Sequence, residues 1–103
     1  MVDVLEIPAQ PGLDPITVYW HNYEHGKGMV TVVCYGSAWN CYFGGMSGRT
    51  IQEFFAYADT SYLTPKLNCA QFLKKNRGHD RYVAQIIDVV KAALKLAEEG
   101  ARL

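Results

Sequence analysis

The chain has 103 residues, with ten Lys and Arg balanced by ten Asp and Glu. That length sets aside a catalytic domain joined to a regulatory one, and 50% apolar residues at zero net charge set aside an intrinsically disordered chain. Neutrality also argues against a charge-dominated DNA mimic or a whole-molecule nucleic-acid binder.

Val2 to Ile7 is the first strand candidate. Pro8, Pro11 and Pro15, with Gly12 among them, mark the following stretch as a loop, because proline fixes φ and offers no N–H. Ile16 to His21 alternates as a strand, with Ile16, Val18 and Trp20 on one face and Tyr19 and His21 opposite in phase. Asn22 to Gly28 reads as a hairpin loop, Met29 to Tyr35 as a central strand, Gly36 to Ala38 as a turn and Trp39 to Phe43 as another strand. Connections this short favour antiparallel pairing.

Gly44 to Gly48 ends the β region, and Thr50-Ile51-Gln52-Glu53 fits a capping box. The helix it opens has Ile51, Phe54, Phe55 and Ala58 on its apolar face, and Asp59-Thr60-Ser61 interrupts it. Pro65 suits the first turn of a second helix, capped by Thr64 or Ser61 and fading at Lys74 to Gly78. A last helix starts at His79 or Asp80. Its polar stripe is Arg81, Gln85, Asp88, Ala92, Lys95, Glu99 and Arg102, and its wide apolar arc suggests burial against more than one element. The expected fold is α+β: a small antiparallel sheet of three to four strands packed on one face by three C-terminal helices. It forms a single domain over 1–103, β-rich over 1–45 and helical over 49–101.

Charge is distributed unevenly. Residues 1–65 hold six acids and two bases, a balance of −4, and residues 66–103 hold eight bases and four acids, a balance of +4. Lys66, Lys74, Lys75, Arg77, His79 and Arg81 form the densest basic segment, with Tyr62 and Tyr82 flanking it. Such a segment can grip a nucleic-acid backbone, dock an acidic protein surface, or be a solvated helix end.

Few residues suggest chemistry. Gly44 and Gly48 have three residues between them where a phosphate loop needs four, and Arg49 stands in the place of its Lys. Gly45, Gly48, Arg49 and Thr50 remain a weak anion-site candidate beside the simpler reading of a tight turn and cap. His21, His25, Cys34 and Cys41 lack zinc-site spacing, so no metal and no cofactor is expected. Cys34, Cys41 and Cys69 form an odd set in apolar or aromatic surroundings, as reduced intracellular thiols would. No catalytic residue stands out, so the expectation is a protein without enzymatic activity. The N-terminus has two acids and no basic stretch, unlike a signal peptide, and no apolar run is long enough to span a membrane.

The aromatics are more informative. Tyr19, Trp20, Tyr23, Tyr35, Trp39, Tyr42, Phe43, Tyr57 and Tyr62 exceed what a core this size readily buries, at about 150–250 Å² each. A one-sided antiparallel sheet turns alternate residues outward. Tyr19, His21, Tyr23 and Tyr42 are therefore the partner-binding candidates on one surface, and Lys74, Lys75, Arg77 and Arg81 those on the other. Ordinary cross-strand aromatic pairing is the alternative for the first set.

Residues 34–67, CYGSAWNCYFGGMSGRTIQEFFAYADTSYLTPKL, with Val-Val-Lys-Ala-Ala-Leu at 89–94, resemble a pattern in small phage and prophage proteins of unestablished activity. The resemblance implies a bacteriophage accessory protein acting in the cytoplasm of a bacterial host. By analogy of context its partner would be a host protein or a defence ribonucleoprotein complex of the kind anti-CRISPR proteins block. Nucleic-acid binding through 66–81 and phosphate or nucleotide binding at Gly44 to Thr50 are the alternatives. A homodimer is also compatible with the apolar final helix.

Overall fold

A computed structural model describes residues 2–68 and 77–101. Four strands, β1 (Val2–Ile7), β2 (Ile16–Glu24), β3 (Lys27–Cys34) and β4 (Ser37–Phe43), form one sheet in the order β1-β2-β3-β4, every pair antiparallel. Three helices follow: α1 (Ile51–Tyr57), α2 (Thr60–Asn68) and α3 (Arg77–Ala101). This is the expected α+β arrangement, with the sheet first and the helices after it.

Several boundaries differ from the sequence reading. The β2–β3 hairpin runs through the segment expected to be a loop: Asn22 pairs with Gly28 and Glu24 with Lys27, leaving His25 and Gly26 at the tip. Tyr23 is the extra residue of a β-bulge there. β4 begins at Ser37, two residues before the expected Trp39. Tyr35 and Gly36, at φ 51° and 75°, form a two-residue turn whose positive φ values match the twist of the strands it joins. Helix α2 starts at Thr60, so Pro65 lies inside it and not in its first turn. Arg77, expected in the fading end of the second helix, opens α3, two residues before the earliest expected start.

The core lies between the sheet and the helices. Ile16, Val18 and Trp20 of β2, Val30, Val32 and Cys34 of β3, and Trp39 and Phe43 of β4 are buried on one sheet face. Against them pack Ile51 and Phe55 of α1, Leu63 and Leu67 of α2, and Val83, Ile86, Ile87 and Val90 of α3. Trp20 meets Phe55 edge-on at 5.3 Å between ring centroids, a favourable aromatic geometry. Helix α3 packs on both α1 and α2, as its wide apolar arc required. Arg81, Gln85, Asp88, Ala92 and Lys95 of the expected polar stripe are exposed. Further ties are the Thr60 hydroxyl, which donates to Asp88, and the Lys91 ammonium, which donates to the Ala58 carbonyl.

Two apolar residues in loops also join the core. Leu13 is buried beneath the proline-rich loop, where Gln10 and Leu13 exchange backbone hydrogen bonds of 2.9 Å. Met46 is buried beneath the Gly44–Gly48 loop, its amide donating to the Gly26 carbonyl at 3.2 Å. The start of α1 is docked by the hairpin. Asn22 Oδ1 accepts from the Ile51 amide at 2.8 Å, and Asn22 Nδ2 donates to Gln52 Oε1 at 2.9 Å. Gly28 permits this approach, since a Cβ there would lie 3.0 Å from the Ile51 Cβ.

Candidate functional site

Alternation along the strands assigns the second sheet face. The paired rows are Val2–His21–Met29–Tyr42, Val4–Tyr19–Thr31–Asn40 and Glu6–Thr17–Val33–Ala38, with Tyr23 added by the bulge. The helices pack on the opposite face, so these side chains meet solvent. Val2 is 47% exposed, Val4 53%, Tyr23 49% and Tyr42 52%. Tyr19 is exposed as well, and His21 and Met29 are half-buried by their neighbours.

The aromatic groups on this face touch one another. His21 stacks on Tyr23 with ring centroids 4.0 Å apart and planes at 29°. Tyr23 lies 6.1 Å from Tyr42, and its hydroxyl makes a long contact of 4.0 Å with Met29 Sδ. Four side chains expected to share a surface, Tyr19, His21, Tyr23 and Tyr42, are thus brought to one face. Trp20, Trp39 and Phe43 point the other way and belong to the core.

The charge of this face is as telling as its aromaticity. None of the residues in the three rows is Lys or Arg, and Glu6 is the one carboxylate. Lys27, at the hairpin tip, lies 3.6 Å from Glu24. A surface of this kind offers ring faces, phenol hydroxyls and aliphatic groups, the composition of a protein-binding patch.

Val2, Val4 and Met29 belong to the same surface and were not singled out in the sequence. The alternation of Val2 and Val4 was visible there, but only the β1–β2 register places them beside His21 and Tyr19.

The Gly44–Thr50 loop has a different geometry. Ser47 and Gly48, at φ 54° and 81°, form a turn closed by the Arg49 amide donating to the Met46 carbonyl at 3.1 Å. Thr50 Oγ1 accepts from the Glu53 amide at 3.2 Å, and the Thr50 amide donates to Glu53 Oε1 at 3.0 Å, which completes the expected capping box. With Ile51 bonded to Asn22, the amides of residues 46, 49, 50, 51 and 53 all have protein acceptors. The Glu53 carboxyl is held below the usual carboxylate range by the Thr50 amide and hydroxyl, with a further contribution from Arg49. A carboxylate and a set of engaged amides give an anion little to bind. A depression of about 300 Å³ beside the loop, lined by His25, Glu24, Arg49 and Thr50 among others, carries an acid as well as a base.

The second candidate surface is described only in part. Lys74 and Lys75 lie outside the described residues, as does Cys69. Arg77 stands in the first turn of α3, Arg81 is exposed one turn later, and Lys66 lies 5.5 Å from the Tyr62 ring centre as a cation–π contact. Of the two described cysteines, Cys41 is half-buried. Cys34 is buried, and the Tyr82 hydroxyl donates to its Sγ at 3.4 Å. That hydrogen bond and burial together push the Tyr82 phenol up to about 12. Among the described residues no group of three or more potential metal ligands converges, and no helix is long and apolar enough to cross a membrane.

No curated protein and no solved structure matches the sequence. A family model, Phage_phiTE_072, described as a phage family, matches residues 1–91, which span the whole sheet, α1, α2 and most of α3. The chain, with its uncovered aromatic sheet face, belongs to this phage protein family.

Proposed function

We propose that this phage protein is a non-enzymatic accessory factor that binds a bacterial host protein complex through the open face of its sheet and inhibits or modulates it. Host defence complexes, including those of the CRISPR type, are one class of target. The observation that carries this reading is the uncovered cluster of Tyr19, His21, Tyr23 and Tyr42, flanked by Val2 and Val4. A domain of this size has enough helix to cover one sheet face, and pairing among themselves leaves the aromatics of the other about half exposed, as surface for a partner to bury. The absence of Lys and Arg from the three rows favours a protein partner over a phosphodiester at this surface.

The test is affinity capture from host lysate at moderate salt, comparing the native protein with Tyr23→Ser/Tyr42→Ser. Both tyrosines are exposed, so the variant should fold, which circular dichroism checks. The expected result is a stoichiometric protein partner whose recovery falls at least about tenfold in the variant, a loss of about 1.4 kcal/mol that one tyrosine hot spot suffices to cause. A partner retained equally by the variant, or no stoichiometric partner, would overturn the proposal.

A further inference from the structure

We infer that the partner docks by adding an extended segment to the outer edge of β1, and that this segment carries basic residues three positions apart. The inference rests on the reading of the open face as a protein-binding surface and specifies how that surface is entered.

The first observation is the edge itself. Strand β1 stands at the end of the sheet, and all six of its residues pair with β2 in continuous register, without a bulge or a proline. Antiparallel sheets usually blunt such an edge by shortening, twisting or covering it, because a row of free backbone groups is a template for another strand. The opposite edge strand, β4, has α2 packed against it in addition to β3. Strand β1 has β2 as its one substantial neighbour among the described elements.

The side chains then define what fits. Val2 and Val4 stand exposed on the open face beside His21 and Tyr19. A fifth strand would extend the aromatic surface, with its own outward residues packed on those valines. Glu6 lies on the same face, and Asp3 lies on the other, where its carboxylate accepts from Gln52 Nε2 at 3.0 Å. Neither β1 nor β2 contains a Lys or Arg, whereas they hold Asp3, Glu6 and Glu24. An antiparallel added segment therefore places one residue opposite Glu6 and another, three positions later, opposite Asp3. Cations at both positions complement the edge, and apolar residues belong opposite Val4 and Val2. A second copy of this chain fits less well, because a β1–β1 seam would line up two Asp3 and two Glu6 carboxylates with no cation from any of the four strands beside it. A nucleic acid fits worse still on the same charge argument.

The test titrates the ¹⁵N-labelled protein with the peptide Thr-Lys-Val-Val-Lys-Val-Thr and with its counterpart bearing Glu for Lys. Amide shifts confined to Val2–Ile7 and neighbouring β2, with slowed hydrogen exchange along β1, are expected for the basic peptide alone. Glu6→Lys should weaken that binding about tenfold, while Tyr23→Ser/Tyr42→Ser, with Tyr23 beyond the last β1–β2 pair at Val2–His21 and Tyr42 on β4, should leave it within twofold. Binding of neither peptide, equal binding of both, or shifts away from β1 would overturn the inference. Capture of the host partner separates this claim from the broader one. Loss on both Glu6→Lys and the double tyrosine variant supports strand addition. Loss on the tyrosine variant alone leaves the open face as the binding surface and removes the added strand.

Discussion

Asn22 offers the sharpest test of how the sheet holds its helices. Its side chain accepts from the amide of Ile51, a residue with no exposed surface, and donates to Gln52. Asn22→Ala removes the acceptor and leaves the amide of this fully buried residue without its partner. An orphaned buried donor costs about 1–3 kcal/mol, and the lost bond to half-buried Gln52 about 0.5 kcal/mol more, for a total of about 1.5–3.5 kcal/mol. In a domain of this size that lowers Tm by roughly 7–16 °C. Two further variants isolate the cause. Asn22→Asp keeps the acceptor and sets a carboxylate at a helix start, so it should cost less than about 1 kcal/mol. Gln52→Ala removes the outer bond and leaves the Ile51 amide satisfied, so it should cost about 0.5 kcal/mol. Urea unfolding, read as a shift in midpoint at constant slope, measures all three. Equal losses in Asn22→Ala and Gln52→Ala would refute the reasoning, because the buried amide would then carry none of the effect.

Two other outcomes follow from local geometry. Gly48→Ala forces an L-residue to φ 81° with a Cβ 2.6 Å from His25 Nε2, whereas Gly12→Ala meets the same φ with open space around it. The left-handed backbone costs about 1 kcal/mol in each, Gly48→Ala should exceed Gly12→Ala in urea unfolding, and adding His25→Ala should abolish the excess. The Tyr82 phenol, raised from its ordinary value of 10 to about 12, contributes stability that is complete below pH 10 and is lost as pH rises through 12. Tyr82→Phe should remove the ionisation step near pH 12 from an ultraviolet titration and flatten the stability profile over that interval.

Much of this architecture was legible because it depends on short-range patterns. The alternation of Ile16, Val18 and Trp20 against Tyr19 and His21 was enough to separate the two faces of β2, and the Thr50–Glu53 spacing was enough to place the start of α1. The misreadings share a different cause. Asn22, Gly28 and the residues between them have loop composition, yet the hairpin continues through Asn22 and Gly28. Asn22 and Gly28 suit the strand because α1 needs an acceptor and a gap there, a requirement set by a residue 29 positions away from Asn22. Leu13 and Met46 sit in proline- and glycine-rich segments, and whether a lone apolar residue in a loop plugs the core depends on where that loop crosses it. Pro65 suggested a helix start, but α2 begins five residues earlier at Thr60. At the candidate site the tyrosines were legible and Val2 and Val4 were not, because strand pairing decides which side chains become neighbours.

The same four strands carry the core on one phase and the exposed aromatics on the other, so register fixes the buried face and the exposed aromatic face together. Slipping β2 by one residue would bury Tyr19 and His21 and expose Trp20, with the loss of its contact to Phe55. Register between β2 and β3 is held by the two-residue tip at His25–Gly26 and the bulge at Tyr23, and that between β3 and β4 by the turn at Tyr35–Gly36. Alternation along β2 keeps Tyr23 beside His21 on the open face, while Asn22 between them is directed at α1. The tip of one hairpin thereby serves the helix layer through Asn22 and the exposed face through Tyr23. A deletion at the bulge should disturb both, whereas serine at Tyr23 changes only the exposed surface.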